Sequence, residues 1–189
     1  MKNDLITRKQ SIINAAADLF KERGYSATSI RDLAASVGLE PSSIYSHIRS
    51  KEELLIEICL SCAERFTDGM NDIYNQELPV KKKIKSLIQL HLNIAYDIPA
   101  SVTVFNDEWK FLPEPAKNDF LNARKEYEKK FKKILNEGKK QGKFKFKNED
   151  IVFNIIIKML SWSYAAIKKH DQSELEEELT GFIIRSLIK

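Results

Sequence analysis

Residues Arg31–Tyr45 read RDLAASVGLEPSSIY, with Ala34, Gly38 and Ile44 at the spacing A-x3-G-x5-I. Two short helices that cross at a tight turn need a small residue where they touch and a glycine able to take the left-handed turn. They also need a branched apolar residue to seat the second helix. Leu33, Val37 and Leu39 add inward contacts. The stretch reads as a helix-turn-helix, one helix from about Thr28 to Ser36 and the next from Pro41 to Ile48. Thr28 or Ser29 caps the first, and Pro41 opens the second, where a missing N–H costs nothing. A small bundle that never touches DNA satisfies the same spacing.

On the N-terminal side, Asp4 to Arg23 places Ile12, Ile13, Ala16, Leu19 and Phe20 at helical spacing, and Gly24 is a stop signal. On the other side, Ser50 and Glu53 have the spacing of a capping box and predict a long helix to about Gln76. The change from short to long helices sets a domain boundary, with a three-helix head at residues 1–50 and a larger helical part at 51–189. Lys51 is odd in that frame. It stands at a helix start, where the macrodipole disfavours a cation. Either an external anion belongs there or the side chain is simply solvated.

Pro79, Pro99, Pro113, Asn148 and Ser173 open the remaining helices, and the chain reads as all-α with about nine of them. Ile151 to Ile167 is apolar nearly all round, and the last helix exceeds a single apolar stripe. Such helices are buried on more than one side. A two-fold dimer through the last two helices supplies the missing cover; the other reading is a pair of ordinary core helices in a monomer.

The whole chain has 189 residues, a formal charge of +4, 43% hydrophobic and 31% charged residues. The charge is a mild bias toward anionic partners. MKNDLITRKQ lacks an apolar leader core, and IVFNIIIKML falls short of the roughly 20 residues that cross a membrane. These features predict a cytoplasmic protein without a membrane partner. CLSC at Cys59–Cys62 has no second pair to complete a metal site and follows no βαβ pattern. It reads as two small buried residues, although the sequence leaves a redox role open. His91 and His170 stand isolated and read as structural or solvated. No nucleophile, base and orienting group come together, so neither an enzyme nor a cofactor or metal site is expected.

From Ile13 to Leu55, INAAADLFKERGYSATSIRDLAASVGLEPSSIYSHIRSKEELL resembles the DNA-binding region of TetR-type transcriptional regulators without a gap. The ordered string Ala-Ala, Leu-Phe, Gly-Tyr, Thr-Ser, Ala-x3-Gly, Ile-Tyr-x-His and Lys-Glu carries the resemblance. It implies that Tyr45, His47, Lys51 and the capping residue Thr28 meet the DNA backbone, and Ser29 is a further DNA-contact candidate. Lys51 then has its anion, because a phosphate at a helix start meets backbone N–H groups as well as the ammonium. Ser42, Ser43 and Ser46 sit on the reading helix, which has no Arg, Lys, Asn or Gln for bidentate base contacts. Arg31 is the candidate for guanine; its other reading is an exposed ion pair near Asp32. Ile48 and Ser46 stand where the family often has aromatics, which puts a contact at Ser46 in doubt. Residues 1–50 hold seven basic and five acidic side chains, so binding rests on a few placed contacts, doubled on a pseudopalindromic site.

The resemblance also implies a small-molecule pocket and dimer interface in the larger part, and repression as the mode of control. Phe105, Trp109, Tyr127, Phe131 and Trp162 are the candidate effector-lining aromatics, each also readable as plain core. Arg124–Lys147, RKEYEKKFKKILNEGKKQGKFKFK, carries eleven basic and three acidic residues. It reads as a solvated face or as a basic rim for a ligand with an apolar tail and an anionic head. EWKFLPE from Glu108, this basic run and Trp162 are loosely similar to acyl-CoA-responsive members of the family. An acyl-CoA or other fatty thioester is therefore the leading effector. The alternative function is a helical lipid or thioester carrier that does not act on DNA.

Overall fold

The computed structural model describes residues 7–188, which form nine α-helices and one short 3-10 turn, with no strand among the described residues. Helix α1 runs Arg8–Arg23 and is capped by Thr7, whose side chain accepts from the Gln10 N–H at 3.2 Å. The sequence placed this start at Asp4; that part of the expectation lies outside the described residues. Helices α2 (Ile30–Ser36) and α3 (Pro41–Ile44) follow, then α4 (Lys51–Asn75). Helices α5 (Val80–Asp97), α6 (Pro99–Asp107), α7 (Ala116–Lys140), α8 (Glu149–Ala166) and α9 (Gln172–Leu187) complete the chain.

The punctuation residues act as their chemistry requires. Gly24, Gly38 and Gly142 have φ of 84°, 67° and 67°, and a Cβ at Gly38 or Gly142 would meet nothing, so the backbone angle alone demands glycine there. Asn148 caps α8 by accepting from the Ile151 N–H, and Asp171 caps α9 through the Ser173 N–H. Lys83, buried on α5, donates to the Tyr74 carbonyl at 2.8 Å and so satisfies an orphan acceptor at the end of α4.

The chain divides into two compact units. One comprises the chain through Cys62 together with Ala100–Phe120; the other comprises Ala63–Pro99 and the chain from Leu121 onward. These limits differ from the 1–50 and 51–189 read from helix lengths, because a continuous helix need not belong to a single packed unit. In the first, Ile12, Ala16, Phe20, Leu33, Ile44, Leu54 and Leu55 are almost fully buried. In the second, α5, α8 and α9 pack together, with Ile84, Leu87, Ile88, Leu92, Leu160 and Ile183 in the core.

Candidate nucleic-acid interface and effector region

Ser29 caps α2, and a complete capping box forms: its side chain accepts from the Asp32 N–H at 3.1 Å while Asp32 accepts from the Ser29 N–H at 2.9 Å. The Ser29 hydroxyl and N–H hold the Asp32 carboxyl below the ordinary carboxylate range. Asp32 pairs with Arg23 at 3.5 Å. Arg31 is exposed and has no described partner, so the ion pair weighed for it near Asp32 does not form. The turn closes with the Leu39 N–H donating to Ala34 O at 2.9 Å.

The reading helix is shorter than the sequence suggests. Regular α-helix ends at Ile44, and Tyr45–His47 continue as turns whose Ser46 and His47 N–H groups bond three residues back. The Ser46 hydroxyl donates to Ser43 O at 2.7 Å, a serine competing with the helix for its backbone. That proton is then not offered to a phosphate. Ser42, Ser43 and Ser46 are exposed, Tyr45 is 57% exposed, and His47 is half-buried.

Two expected phosphate ligands look inward. Thr28 is 2% exposed and its hydroxyl donates to Gly24 O at 2.9 Å, so it ties the α1–α2 loop together instead of facing solvent. Lys51 donates to Tyr25 O and Thr28 O, each at 2.8 Å, with its ammonium 4.3 Å from the centre of the Tyr25 ring. One of its three N–H bonds remains. The Ser50 side chain accepts from the Glu53 N–H at 3.1 Å, but Glu53 reaches back to the Arg49 N–H at 2.6 Å, one residue beyond the box predicted. Tyr25 is held from a second side as well: its N–H donates to Glu108 at 3.2 Å and its ring lies 5.7 Å from Phe111.

The five aromatics proposed for an effector separate into three settings. Phe105 and Trp109 lie against Phe120 in the first unit, at 5.1 and 5.6 Å between ring centres. Tyr127 and Phe131 are buried in the second unit, Phe131 against Phe153. Trp162 is 59% exposed in an apolar groove of about 990 Å³ between α8 and α9 that also holds Ile151, Ile155 and Phe182. The basic run is mostly exposed; Lys132 bonds Glu128 and Asp150, and Lys129 lies 3.5 Å from Glu126.

His91 is the residue sequence reasoning missed. It is buried on α5, with Nε2 2.7 Å from the Tyr127 hydroxyl and Nδ1 bonded to the Tyr164 hydroxyl. Its position between Ile84, Leu87, Ile88, Leu92 and Ala95 on one helical face was the available signal. Burial pulls the imidazole down to about 3 and raises the Tyr127 phenol, so the cluster is neutral. Cys59 and Cys62 are buried and not joined in a disulfide, and burial, with a smaller push from the Glu108 charge, raises the Cys59 thiol to about 12.

A sequence model described as "Bacterial regulatory proteins, tetR family" matches residues 12–58, across α1 to the first turns of α4. A second, "Tetracyclin repressor-like, C-terminal domain", matches residues 77–165. The chain belongs to the TetR family. It is a helix-turn-helix, DNA-binding transcriptional regulator by that membership. KstR2 of Mycolicibacterium smegmatis, an HTH-type transcriptional repressor, is 29% identical over 140 residues, covering 74% of this chain and 68% of KstR2. The structure of the TetR regulator PfmR from Thermus thermophilus is 25% identical with a TM-score of 0.81, covering 94% of this chain and 99% of PfmR. AibR, solved with isovaleryl coenzyme A and operator DNA, shares the fold at a TM-score of 0.81 and 17% identity, covering 96% of this chain and 100% of AibR. No described helix is long and apolar enough to cross a membrane.

Proposed function

We propose that this TetR-family regulator is a homodimeric cytoplasmic repressor that grips a pseudopalindromic operator and releases it on binding an acyl-CoA or other fatty thioester. The carrying observation is the exposed Arg31, with no described partner, beside the complete capping box of α2. A guanidinium without an internal partner is free to bind guanine bidentately. Tyr45, His47 and the remaining N–H of Lys51 make up the backbone-contacting set, with Ser42 and Ser43 exposed on the reading helix; Ser29 and Ser46 act behind them, their donors spent on Asp32 and Ser43. Thr28 acts behind them by shaping the loop.

Four large apolar side chains, Ile151, Ile155, Trp162 and Phe182, are each more than half exposed around one groove. An exposed cluster of this kind marks an interaction site, and a second copy of α8 and α9 supplies a matching surface by two-fold symmetry. Trp162 therefore moves from the effector set to the dimer interface.

The effector reading draws on the acyl-CoA bound by AibR and on the basic run of α7. Glu108 and Phe111 give the signal a route to the head, because both hold Tyr25 while Lys51 clamps the same residue from α4. Coupling needs such an element with two arrangements, and effector binding must favour one of them.

Selection of bound fragments from genomic DNA tests the reading. A two-fold operator whose retention falls with salt and is released by acyl-CoAs of some chain length supports it. Fatty thioester binding without any sequence-selective DNA retention would instead establish the carrier function.

A further inference from the structure

Three polar side chains from three helices meet in the otherwise apolar interior of the second unit: His91 of α5, Tyr127 of α7 and Tyr164 of α8. His91 is 5% exposed and each tyrosine 9%. Phe66 packs on the imidazole at 4.8 Å, and the Tyr164 ring lies within 6° of the imidazole plane with its centre 6.1 Å away, as an in-plane hydrogen bond requires.

Counting hydrogens shows what this arrangement leaves over. A neutral imidazole has one N–H and one bare nitrogen, and each phenol has one O–H, which makes three hydrogens for two contacts. One phenol donates to the bare nitrogen. The other accepts from the ring N–H and keeps a hydrogen that the ring does not take. For Tyr127 the imidazole is the one described hydrogen-bond partner. In the tautomer where Tyr164 donates to Nδ1 and the Nε2–H donates to Tyr127, it is the Tyr127 O–H that has no described acceptor. A buried donor left over is costly, so it marks a place for a ligand acceptor.

We infer that the Tyr127 hydroxyl, aimed by His91 and Tyr164, donates to an uncharged carbonyl oxygen of the effector and thereby reads the thioester group. This rests on the acyl thioester reading above and adds the atom that is recognised. The neutral imidazole contributes no positive charge, so a free carboxylate brought here stays desolvated without a counter-charge from the cluster. A carbonyl requires a single donor, and the cluster has one to give.

The ligand-side test needs no variant. Binding of isovaleryl-CoA and palmitoyl-CoA is measured by calorimetry against their S-alkyl thioether counterparts, which keep the chain and the coenzyme but lack the carbonyl. The full-length protein binds at least one thioester about tenfold more tightly than its thioether. Tyr127→Phe erases that preference and binds both at the thioether level, whereas a purely structural tyrosine would weaken both alike. Equal binding of thioester and thioether by the wild type, or a preference that survives Tyr127→Phe, overturns this inference alone. Binding of neither pair overturns the thioester effector and this inference together.

Discussion

Lys51 donates to the carbonyl of Tyr25 at 2.8 Å while its ammonium sits over the Tyr25 ring. The cation that looked misplaced at a helix start is a clasp between α4 and the loop ahead of the helix-turn-helix. It keeps one N–H for the proposed phosphate contact. Lys51→Met keeps the stem and removes all donors. It leaves the part-buried Thr28 carbonyl without its partner, while Tyr25 O keeps only the Thr28 N–H at 3.3 Å, a cost of about 1–3 kcal/mol. Thermal unfolding then falls by several degrees and operator affinity drops. An unchanged melting temperature would show that the clasp does not hold the head.

Arg31 is the opposite case, exposed and unpaired while its neighbour Asp32 is taken by Ser29 and Arg23. Arg31→Ala therefore leaves stability within about 0.5 kcal/mol of wild type. It costs about 1–3 kcal/mol in operator binding and relaxes selection at one base pair. Competition binding on operators randomised one position at a time reads both effects. A uniform loss across all sequences would reassign Arg31 to a phosphate.

The contrast between these two residues shows what the sequence could convey. Helix number, order and most boundaries followed from Gly24, Gly38, Ser50, Pro79, Pro99, Asn148 and Ser173, because caps and breakers act over four or five residues. The spacing of Ala34, Gly38 and Ile44 located the helix-turn-helix for the same reason. Direction was another matter. Nothing local shows that Lys51 turns back to a carbonyl 26 residues earlier, or that Thr28 is buried and Ser29 caps. His91 looked isolated because its partners lie 36 and 73 residues away. Periodicity assigns a face to a residue but names no neighbour, and it could not separate exposed Trp162 from buried Tyr164 on one helix.

Trp162 and Phe182 flank the same groove, each about 60% exposed. Placing a charge at either site buries it without a partner when two copies meet, a cost of several kcal/mol. Trp162→Glu and Phe182→Glu thus convert the proposed dimer into a species of the 21.8 kDa chain mass, seen by sedimentation, with helical content unchanged. Operator affinity falls with the loss of paired heads. A wild-type protein that sediments as a monomer at tens of micromolar would refute the interface.

Cys59 and Cys62 lie one turn apart on α4 and are both buried. With its thiol pushed up to about 12, Cys59 has almost no thiolate at neutral pH, and thiolate is the reactive form. A thiol reagent at pH 8 reacts slowly with the folded protein and completely after denaturation. Rapid modification of the native state, or a DNA affinity that changes with mild oxidant, would restore the redox reading of CLSC.

His91 makes stability depend on pH in a defined direction. Its folded value of about 3 is below the ordinary 6.5, so between those limits the unfolded chain binds more protons than the folded one. Stability rises with pH wherever the unfolded state holds more protons. The contribution is therefore complete above pH 6.5 and is lost progressively as pH falls toward 3, at up to ~1.4 kcal/mol per unit. Carboxylates such as Glu53, held low chiefly by the Arg49 N–H, add to the loss only below their ordinary value of 4.5. The interval from pH 6.5 to 5 thus isolates the histidine. Urea unfolding across that interval shows a falling midpoint for wild type and a flat one for His91→Gln, which keeps hydrogen bonds to the two phenols without a titrating ring. An equal slope in both proteins would mean that His91 takes up its proton without leaving the fold.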